Sequence, residues 1–431
     1  MFIESRVIKV LKIPNHKSEL KNKKIAIYNK PEYVYIPLVN GSDTDITVLV
    51  KKGDYVYKGT HLGKRKGNIK IPIISTVSGK VVDFVAKPYM NGLEVKCVKI
   101  ENDFKEKCVE TKNYEKINKE AFLELLHDNG IIGLGGAGFP THIKYDNKEI
   151  KYLLVNAVEC EPYITADYEV LKTHTEEILE GIDMILEINN IDEAIIAVKK
   201  SNVELIKILN NFIGTYLKIK IKEVPNLYPM GWERTLIKEV FNETYENLPI
   251  EKGIVVNNVS TIFAIYRVLK YNEPFTERVV TFAGNGFKKP QNILVKIGTQ
   301  ASEVINSVIG YKKVDEVNFI AGGPMMGESI STDDLIISPN LNSVLVLKNT
   351  HYKEIECLRC GKCIDVCPAN ICPVLIKDSI NNVEKLKTLD VSKCVSCGLC
   401  SYICPSKIQV REYVKKAKEK IKESDNNENN K

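Results

Sequence analysis

Nine of the twelve cysteines in this chain fall within 48 residues, and eight of them repeat one spacing. Cys357, Cys360, Cys363 and Cys367 form the run C-x2-C-x2-C-x3-C, and Cys394, Cys397, Cys400 and Cys404 form it again, with Pro368 and Pro405 directly after each run. In such a run three closely spaced thiolates take three irons of one cubane, and the fourth reaches across to the other cluster. The spacing therefore predicts one [4Fe–4S] cluster on Cys357, Cys360, Cys363 and Cys404, and a second on Cys394, Cys397, Cys400 and Cys367. Structural zinc also takes four thiolates, but it pairs two C-x2-C knuckles across a longer loop, whereas here three thiolates arrive together. A disulfide framework is weaker still, because nothing else in the chain suggests export. Cys372 has no place in two complete sets and reads as a packed thiol, and isolated Cys97 and Cys108 read as buried or inert.

Two adjacent clusters make a short wire, so the remaining elements must supply an electron donor, an acceptor or a docking surface. The length of 431 residues predicts about three domains. Hydrophobic content of 44% and charged content of 27% are ordinary for a soluble globular chain. The N-terminus interleaves charged and apolar residues without the apolar core of a secretory signal, and no uncharged apolar run is long enough to span a membrane. A reducing cytoplasm is expected, where thiolate clusters survive. The net charge of +6 is spread over scattered lysines, which excludes a nucleic-acid footprint but suits an acidic electron carrier or an anionic membrane surface.

Residues 33–100 read as short strands between glycine turns at Gly53, Gly59, Gly63 and Gly79. The two halves resemble a barrel-sandwich hybrid, the fold of lipoyl and biotinyl carriers. Lys64 and Lys66 lie near the hairpin tip, but not in a carrier's sequence setting, so a docking or structural module is expected. Next, a helix pattern with Ile117, Phe122, Leu125 and Leu126 on one face ends at Asn129 and Gly130. The loop that follows packs Gly133, Gly135, Gly136 and Gly138 into six positions, which lets the backbone approach a flat or phosphorylated ligand. Strand YLLVNAV, the acidic turn Glu159-Cys160-Glu161-Pro162, a helix over DYEVLKTHTEEILEGIDMILEI and strand AIIAVKK predict a parallel α/β unit, with ligands at the carboxyl ends of its strands.

At these residues a family resemblance becomes specific. The segment Gly135-Gly136-Ala137-Gly138-Phe139-Pro140-Thr141, followed by Lys144, resembles the flavin loop of the NADH-oxidising flavoprotein subunit of respiratory complex I. It is still more similar to the C subunit of the Rnf electron-transport complex, in which GGAGFPTH and ECEPY-x-TADY occur together as here. The likeness continues through Tyr228-Pro229-Met230-Gly231-Trp232-Glu233, Val255-Val256-Asn257-Asn258-Val259 and Ala321-Gly322-Gly323-Pro324-Met325-Met326-Gly327, and ends in the paired ferredoxin motifs. It implies FMN held by Gly133, Gly135, Gly136, Ala137 and Gly138 with Asn156, Asn257 and Asn258. It further implies an NAD(H) pocket over the flavin formed by Phe139, Lys144, Glu159, Glu161, Tyr228 and Glu233. Val158 and Trp232 stand where the complex I pattern has acidic residues, which weighs against dinucleotide binding more than against flavin binding.

The expected architecture is a multidomain α/β chain. Residues 1–110 form the β barrel-sandwich hybrid, 115–272 the α/β FMN/NADH-binding domain and 273–350 a β-grasp (SLBB) module. Residues 351–415 form an α-helical dicluster ferredoxin domain with a helix over VLIKDSINNVEKLKTL, and 416–431 a polar tail fading from helix into disorder. Flavin accepts two electrons as hydride and releases them singly, as the clusters require. The resemblance thus implies electron transfer between NAD(H) and a partner: membrane Rnf subunits, or a soluble reductase or ferredoxin. The protein would be cytoplasmic, free or peripheral on the cytoplasmic face of the membrane. Two alternatives stay open: a soluble relative such as the electron-transfer protein of proline reductase or a cobalamin reductase, and a relay that has lost the dinucleotide site.

Overall fold

The computed structural model describes residues 10–21, 23–39, 45–65, 71–110, 114, 116–147, 149–314, 316–350 and 352–429. Four parallel strands form the sheet that positions the glycine loop, in the order Ile219–Val224, Glu193–Lys199, Tyr152–Ala157, Ile254–Asn258. The near-continuous apolar runs of the three inner and far-edge strands suit a sheet covered on both faces, while Ile219–Val224 alternates apolar and charged residues at the other edge. From Tyr152–Ala157 the chain builds outward to one side, then crosses back to lay Ile254–Asn258 on the other, so the sheet has a switch point between these two strands. Such a crevice at the carboxyl ends is where open α/β sheets bind ligands. The expected long helix after the acidic turn is two helices, Ala166–Thr173 and Thr175–Asn189, broken at His174. Thr175–Asn189 lies against Val259–Tyr271, and Gly181 permits the contact, because a Cβ there would come 2.9 Å from Tyr266.

The barrel-sandwich region has a four-stranded sheet (Tyr33–Pro37, Glu94–Asn102, Gly79–Pro88, Tyr55–Val56) and a three-stranded one (Ile46–Val48, His61–Arg65, Pro72–Ile74) around a core that includes Val34, Leu62, Val81 and Ile100. Lys64 is exposed on strand His61–Arg65, and Lys66 lies outside the described residues. Cys97 is buried as expected, whereas Cys108 is exposed, because its strand-like contact with Lys58 sits at the module's edge. Ala26–Tyr28 leaves the barrel-sandwich region altogether. It adds an edge strand, parallel to Gln291–Lys296, to a six-stranded mixed sheet otherwise drawn from residues 277–348.

In the C-terminal region each cysteine of the first quartet has a counterpart 37 residues later, and the backbone repeats with it. Arg359 and Ser396, Gly361 and Gly398, and Asn370 and Lys407 all take positive φ. Left-handed conformations are costly for non-glycine residues, so their recurrence at matching positions marks loops wrapped twice in the same way. The single helix expected between the quartets is two short ones, Pro373–Asp378 and Val383–Lys387. The tail does not fade after residue 415: helix Val410–Asn429 carries Val414, Ala417 and Ile421 into the core beneath these loops.

At Gly79, φ is +157° and a Cβ would fall 1.9 Å from the Glu101 carbonyl oxygen, so no side chain fits without moving the paired strand. Gly79→Ala is expected to lower unfolding free energy by about 2–4 kcal/mol in urea titrations.

Candidate electron-transfer site

The two cysteine quartets do not fold as two sequential sets. Cys367, Cys394, Cys397 and Cys400 line one recess. Cys357, Cys360, Cys363 and Cys404 line a second. This is the crossed grouping expected from the spacing. Each cysteine set lines a space rather than a single point. That arrangement suits a four-iron cubane better than a zinc ion, which draws its thiolates to about 2.3 Å. Burial pushes the Cys397 and Cys400 thiols up to about 12, so only strongly cationic irons would hold them as thiolates at neutral pH. Cys372 caps helix Pro373–Asp378 and lies outside both sets.

The recesses differ in setting. The Cys397 set packs inward: Cys397 and Leu399 are buried with Tyr228 and Met325, and Cys160, Leu11 and Ile13 pack against them. The other faces outward, with Cys360, Leu358 and Arg359 exposed at its mouth.

At the switch point, the glycine loop is closed at its base by a backbone bond from Gly133 N–H to the Phe139 carbonyl, 2.8 Å, and by the Ile132–Pro140 bridge. A Cβ on Gly135 would meet Asn258 at 2.9 Å, whereas one on Gly136 would meet nothing within 4 Å. Gly135 thus lets the loop lie on the end of strand Ile254–Asn258, while Gly136, Ala137 and Phe139 face outward. Gly138 takes φ +69°, a turn only glycine makes cheaply.

Beneath the loop, the Lys144 ammonium donates to the Val256 carbonyl at 2.9 Å. Burial lowers its pKa, and the opposing pull of Glu233 is the smaller effect. Asn257 donates to the Tyr145 hydroxyl, while its own buried Oδ1 has no hydrogen-bond partner. Asn258 caps helix Val259–Tyr271 through Ser260 N–H, 2.8 Å, and donates to Asp167, 2.6 Å. Asn156 accepts from Val158 N–H and donates to the Gly231 carbonyl, which brings the segment before helix Glu233–Phe241 onto the strand end. A backbone cradle, an enclosed cation, an orphaned amide oxygen and the N-terminus of a 13-residue helix share one crevice. These are the groups an isoalloxazine bearing a ribityl phosphate would need, so the residues fit FMN.

The remaining sequence-predicted residues separate. Glu233 stays at the crevice, its carboxylate accepting from the Tyr245 hydroxyl at 2.8 Å. Glu159 stands behind it: it accepts from Asp167 N–H, and Lys17 lies 3.6 Å from its carboxylate. Its pKa is raised chiefly by burial, despite Lys17. Glu161 and Tyr228 turn away from the glycine loop, and their hydrogen bonds run to the Met325 loop and to Cys397.

Sequence reasoning missed four residues. Lys17 comes from an N-terminal strap whose Leu11 pairs with Tyr228 and whose Asn15 carbonyl accepts from Tyr163 N–H. Asp167 anchors both Asn258 and Ser260. Arg278, 4% exposed, donates to the Pro339 carbonyl, and burial lowers its pKa to about 10. Arg411 binds the carbonyls of Met326 and Gly327. Only Arg278, a lone cation in an apolar strand, left a signal.

Three family models match: the RnfC barrel sandwich hybrid domain over residues 6–105, the Nuo51 FMN-binding domain over 126–267 and a 4Fe-4S dicluster domain over 356–408. The chain is 33% identical over 368 residues to the C subunit of the proton-translocating ferredoxin:NAD(+) oxidoreductase complex of Clostridium ljungdahlii, covering 82% of this chain and 80% of that one. It is 31% identical over 377 residues to the C subunit of the Na(+)-translocating complex of Acetobacterium woodii, covering 85% of each. Among solved structures it resembles an NAD+-reducing [NiFe]-hydrogenase, with TM-score 0.50 and 16% identity over 69% of this chain and 62% of that chain, a likeness of fold.

Cys404→Ser is expected to abolish the cluster of the Cys357 set and spare that of the Cys394 set, leaving about four irons of about eight per chain by iron and sulfide analysis. The pH dependence of stability should report Glu161. Burial raises its pKa to about 7, so it stabilises the fold fully below the ordinary 4.5 and loses that contribution as pH rises through 7. Glu161→Gln cannot ionise. Between about pH 5.5 and 8, denaturant titrations should show the parent losing on the order of 2 kcal/mol more than the variant.

Proposed function

This chain belongs to the C-subunit family of Rnf-type, ion-translocating ferredoxin:NAD(+) oxidoreductase complexes, and from that premise we propose how its residues divide the work. The protein transfers electrons between NAD(H) and a partner carrier through FMN and two [4Fe–4S] clusters. When bound, FMN exchanges hydride with the nicotinamide and single electrons with the clusters. Residues 133–138 would lie along the flavin, with Lys144, Asn156, Asn257 and Asn258 supplying polar contacts at the strand ends. Exposed Phe139 and the half-buried Glu233 would meet the dinucleotide, with Glu159 braced behind them by Lys17. Residues 273–350 are read as an SLBB β-grasp module that carries the Met325 loop.

The observation that carries the reading is the unequal setting of the two cysteine recesses. The Cys397 set packs against the flavin domain through Tyr228, and the Cys357 set carries exposed Cys360, Leu358 and Arg359. This supports a path from flavin to the Cys394-set cluster, then to the Cys357-set cluster, then to a partner that docks beside Leu358 and Arg359. No helix among the described residues is long and apolar enough to cross a membrane, so the ion-translocating step would belong to other Rnf subunits. A position on the cytoplasmic face follows from the dinucleotide substrate.

Rapid mixing of flavin-loaded protein with NADH tests this reading: flavin bleaching followed by cluster reduction is expected. An unchanged flavin spectrum would instead establish a relay without a dinucleotide site. Glu233→Ala should leave flavin bound and slow NADH-driven bleaching at low NADH by roughly ten- to a hundredfold, the effect of losing one charge-assisted hydrogen bond.

A further inference from the structure

Tyr228 is 1% exposed, and its hydroxyl lies 2.7 Å from the Cys397 carbonyl and 3.2 Å from Glu161 Oε1. A phenol has one proton to give. If it goes to the nearer Cys397 carbonyl, the Glu161 contact is a hydrogen bond only when the carboxyl itself supplies a proton. The other carboxyl oxygen accepts from Met325 N–H at 3.1 Å. Gly323 runs so close that a Cβ on it would fall 2.1 Å from Oε2. On the loop's opposite side, a Cβ on Gly398 would come 2.5 Å from the Met325 carbonyl, and Gly398 directly follows Cys397. Arg411 clamps the same loop through the Met326 and Gly327 carbonyls at 2.9 and 3.0 Å. The Tyr228 backbone is held in turn by two 2.7 Å bonds to Leu11.

We propose that Glu161 and Tyr228 are positioning residues for the cluster of Cys367, Cys394, Cys397 and Cys400, fixing the Cys397 carbonyl and the Met325 loop against the flavin domain, and are not dinucleotide ligands. The proposal rests on the reading that these four cysteines hold a cluster. Its physical basis is that hydrogen bonds to the groups behind a ligand set the ligand's orientation and the cluster's potential. Tyr228 can do this without touching sulfur, because it holds the backbone that carries the Cys397 side chain. Glu161 fixes the phenol's direction and carries the Met325 loop on its second oxygen.

The test uses the full chain with both clusters and FMN. Tyr228→Phe keeps the ring among Met325, Cys397 and Leu399 and removes only the hydroxyl. Glu161→Gln keeps one donor and one acceptor in the geometry of the protonated acid, and Glu161→Ala removes both. Electron paramagnetic resonance of dithionite-poised protein reads the clusters, with Cys404→Ser identifying the signal of the Cys394 set. Tyr228→Phe and Glu161→Ala are expected to change the g-values and midpoint potential of that signal and leave the other unchanged. Glu161→Gln should restore the parent signature. KM for NADH in flavin bleaching should move less than about twofold, while reduction of the clusters after bleaching slows by about tenfold. A tenfold rise in KM with unaltered cluster signals would make these residues dinucleotide ligands and overturn the proposal. Unaltered signals with unaltered kinetics would also overturn it. If Tyr228→Phe fails to fold, the contrast between Glu161→Gln and Glu161→Ala decides. If NADH fails to bleach even the parent flavin, the dinucleotide reading falls while the resonance comparison still tests the positioning role.

Discussion

Enclosing sulfur ligands inside protein is the constraint on which this architecture turns. A thiolate removed from water is costly, and the Cys397 and Cys400 thiols are held far above the usual range chiefly by burial, with the neighbouring cysteines adding to it. Only an ordered loop, wrapped around irons and sealed by a neighbouring surface, makes that burial tolerable. The doubled left-handed turns supply the wrapping, and Val410–Asn429 supplies the floor. The seal comes from elsewhere in the chain: Tyr228 and Cys160 from the flavin domain, Leu11 and Ile13 from the N-terminal strap, and Met325 from the six-stranded sheet's loop. Four regions far apart in sequence converge on one cysteine quartet, which gives an electron path a protein-lined start.

The same physics explains what could be read ahead of the structure. The crossed grouping of Cys367 with Cys394, Cys397 and Cys400 was legible because iron–sulfur geometry is set by short spacings within one segment. The glycine loop was legible only together with the strand, acidic turn and helix that follow it, because dense glycine alone is often no more than a turn. Strands Tyr152–Ala157 and Glu193–Lys199 announced themselves by apolar runs of the right length. Each of these signals is local.

What was not legible depends on long-range contact. A resemblance carries residue identity but not side-chain direction, and Glu161 and Tyr228 show the difference, since their partners lie at Met325 and Cys397. Lys17 reaches Glu159 across 142 positions, and no periodicity marks such a pair. Helix Val410–Asn429 looked like a dissolving tail because lysines and glutamates dominate it, yet Val414, Ala417 and Ile421, at helical spacing, are enough to dock it. Ala26–Tyr28 is too short to announce itself, and its partner, Gln291–Lys296, is a distant strand.

The polar groups around the flavin crevice follow one electrostatic pattern. Lys144 and Arg278 are enclosed cations that give their hydrogen bonds to backbone carbonyls, and burial lowers both of their pKa values. Glu159 and Glu161 are enclosed acids, and burial raises both. An interior cation contented only by a carbonyl favours an anionic ligand, because the ligand's charge replaces the hydration the cation has lost. Lys144 and Arg278 therefore bring two positive charges to the strand ends, against the one carboxylate of Asp167 that Asn258 and Ser260 hold beside Val259–Tyr271. Val158 continues the pattern: it is buried in the apolar cluster with Met230 and Leu236, where an aspartate would need a cation of its own. A crevice of this sign would receive a flavin phosphate and leave Glu233 as the partly exposed carboxylate facing the dinucleotide. Selection between the two ligands would then rest on depth, with enclosed Lys144 and Arg278 set against the partly exposed Glu233.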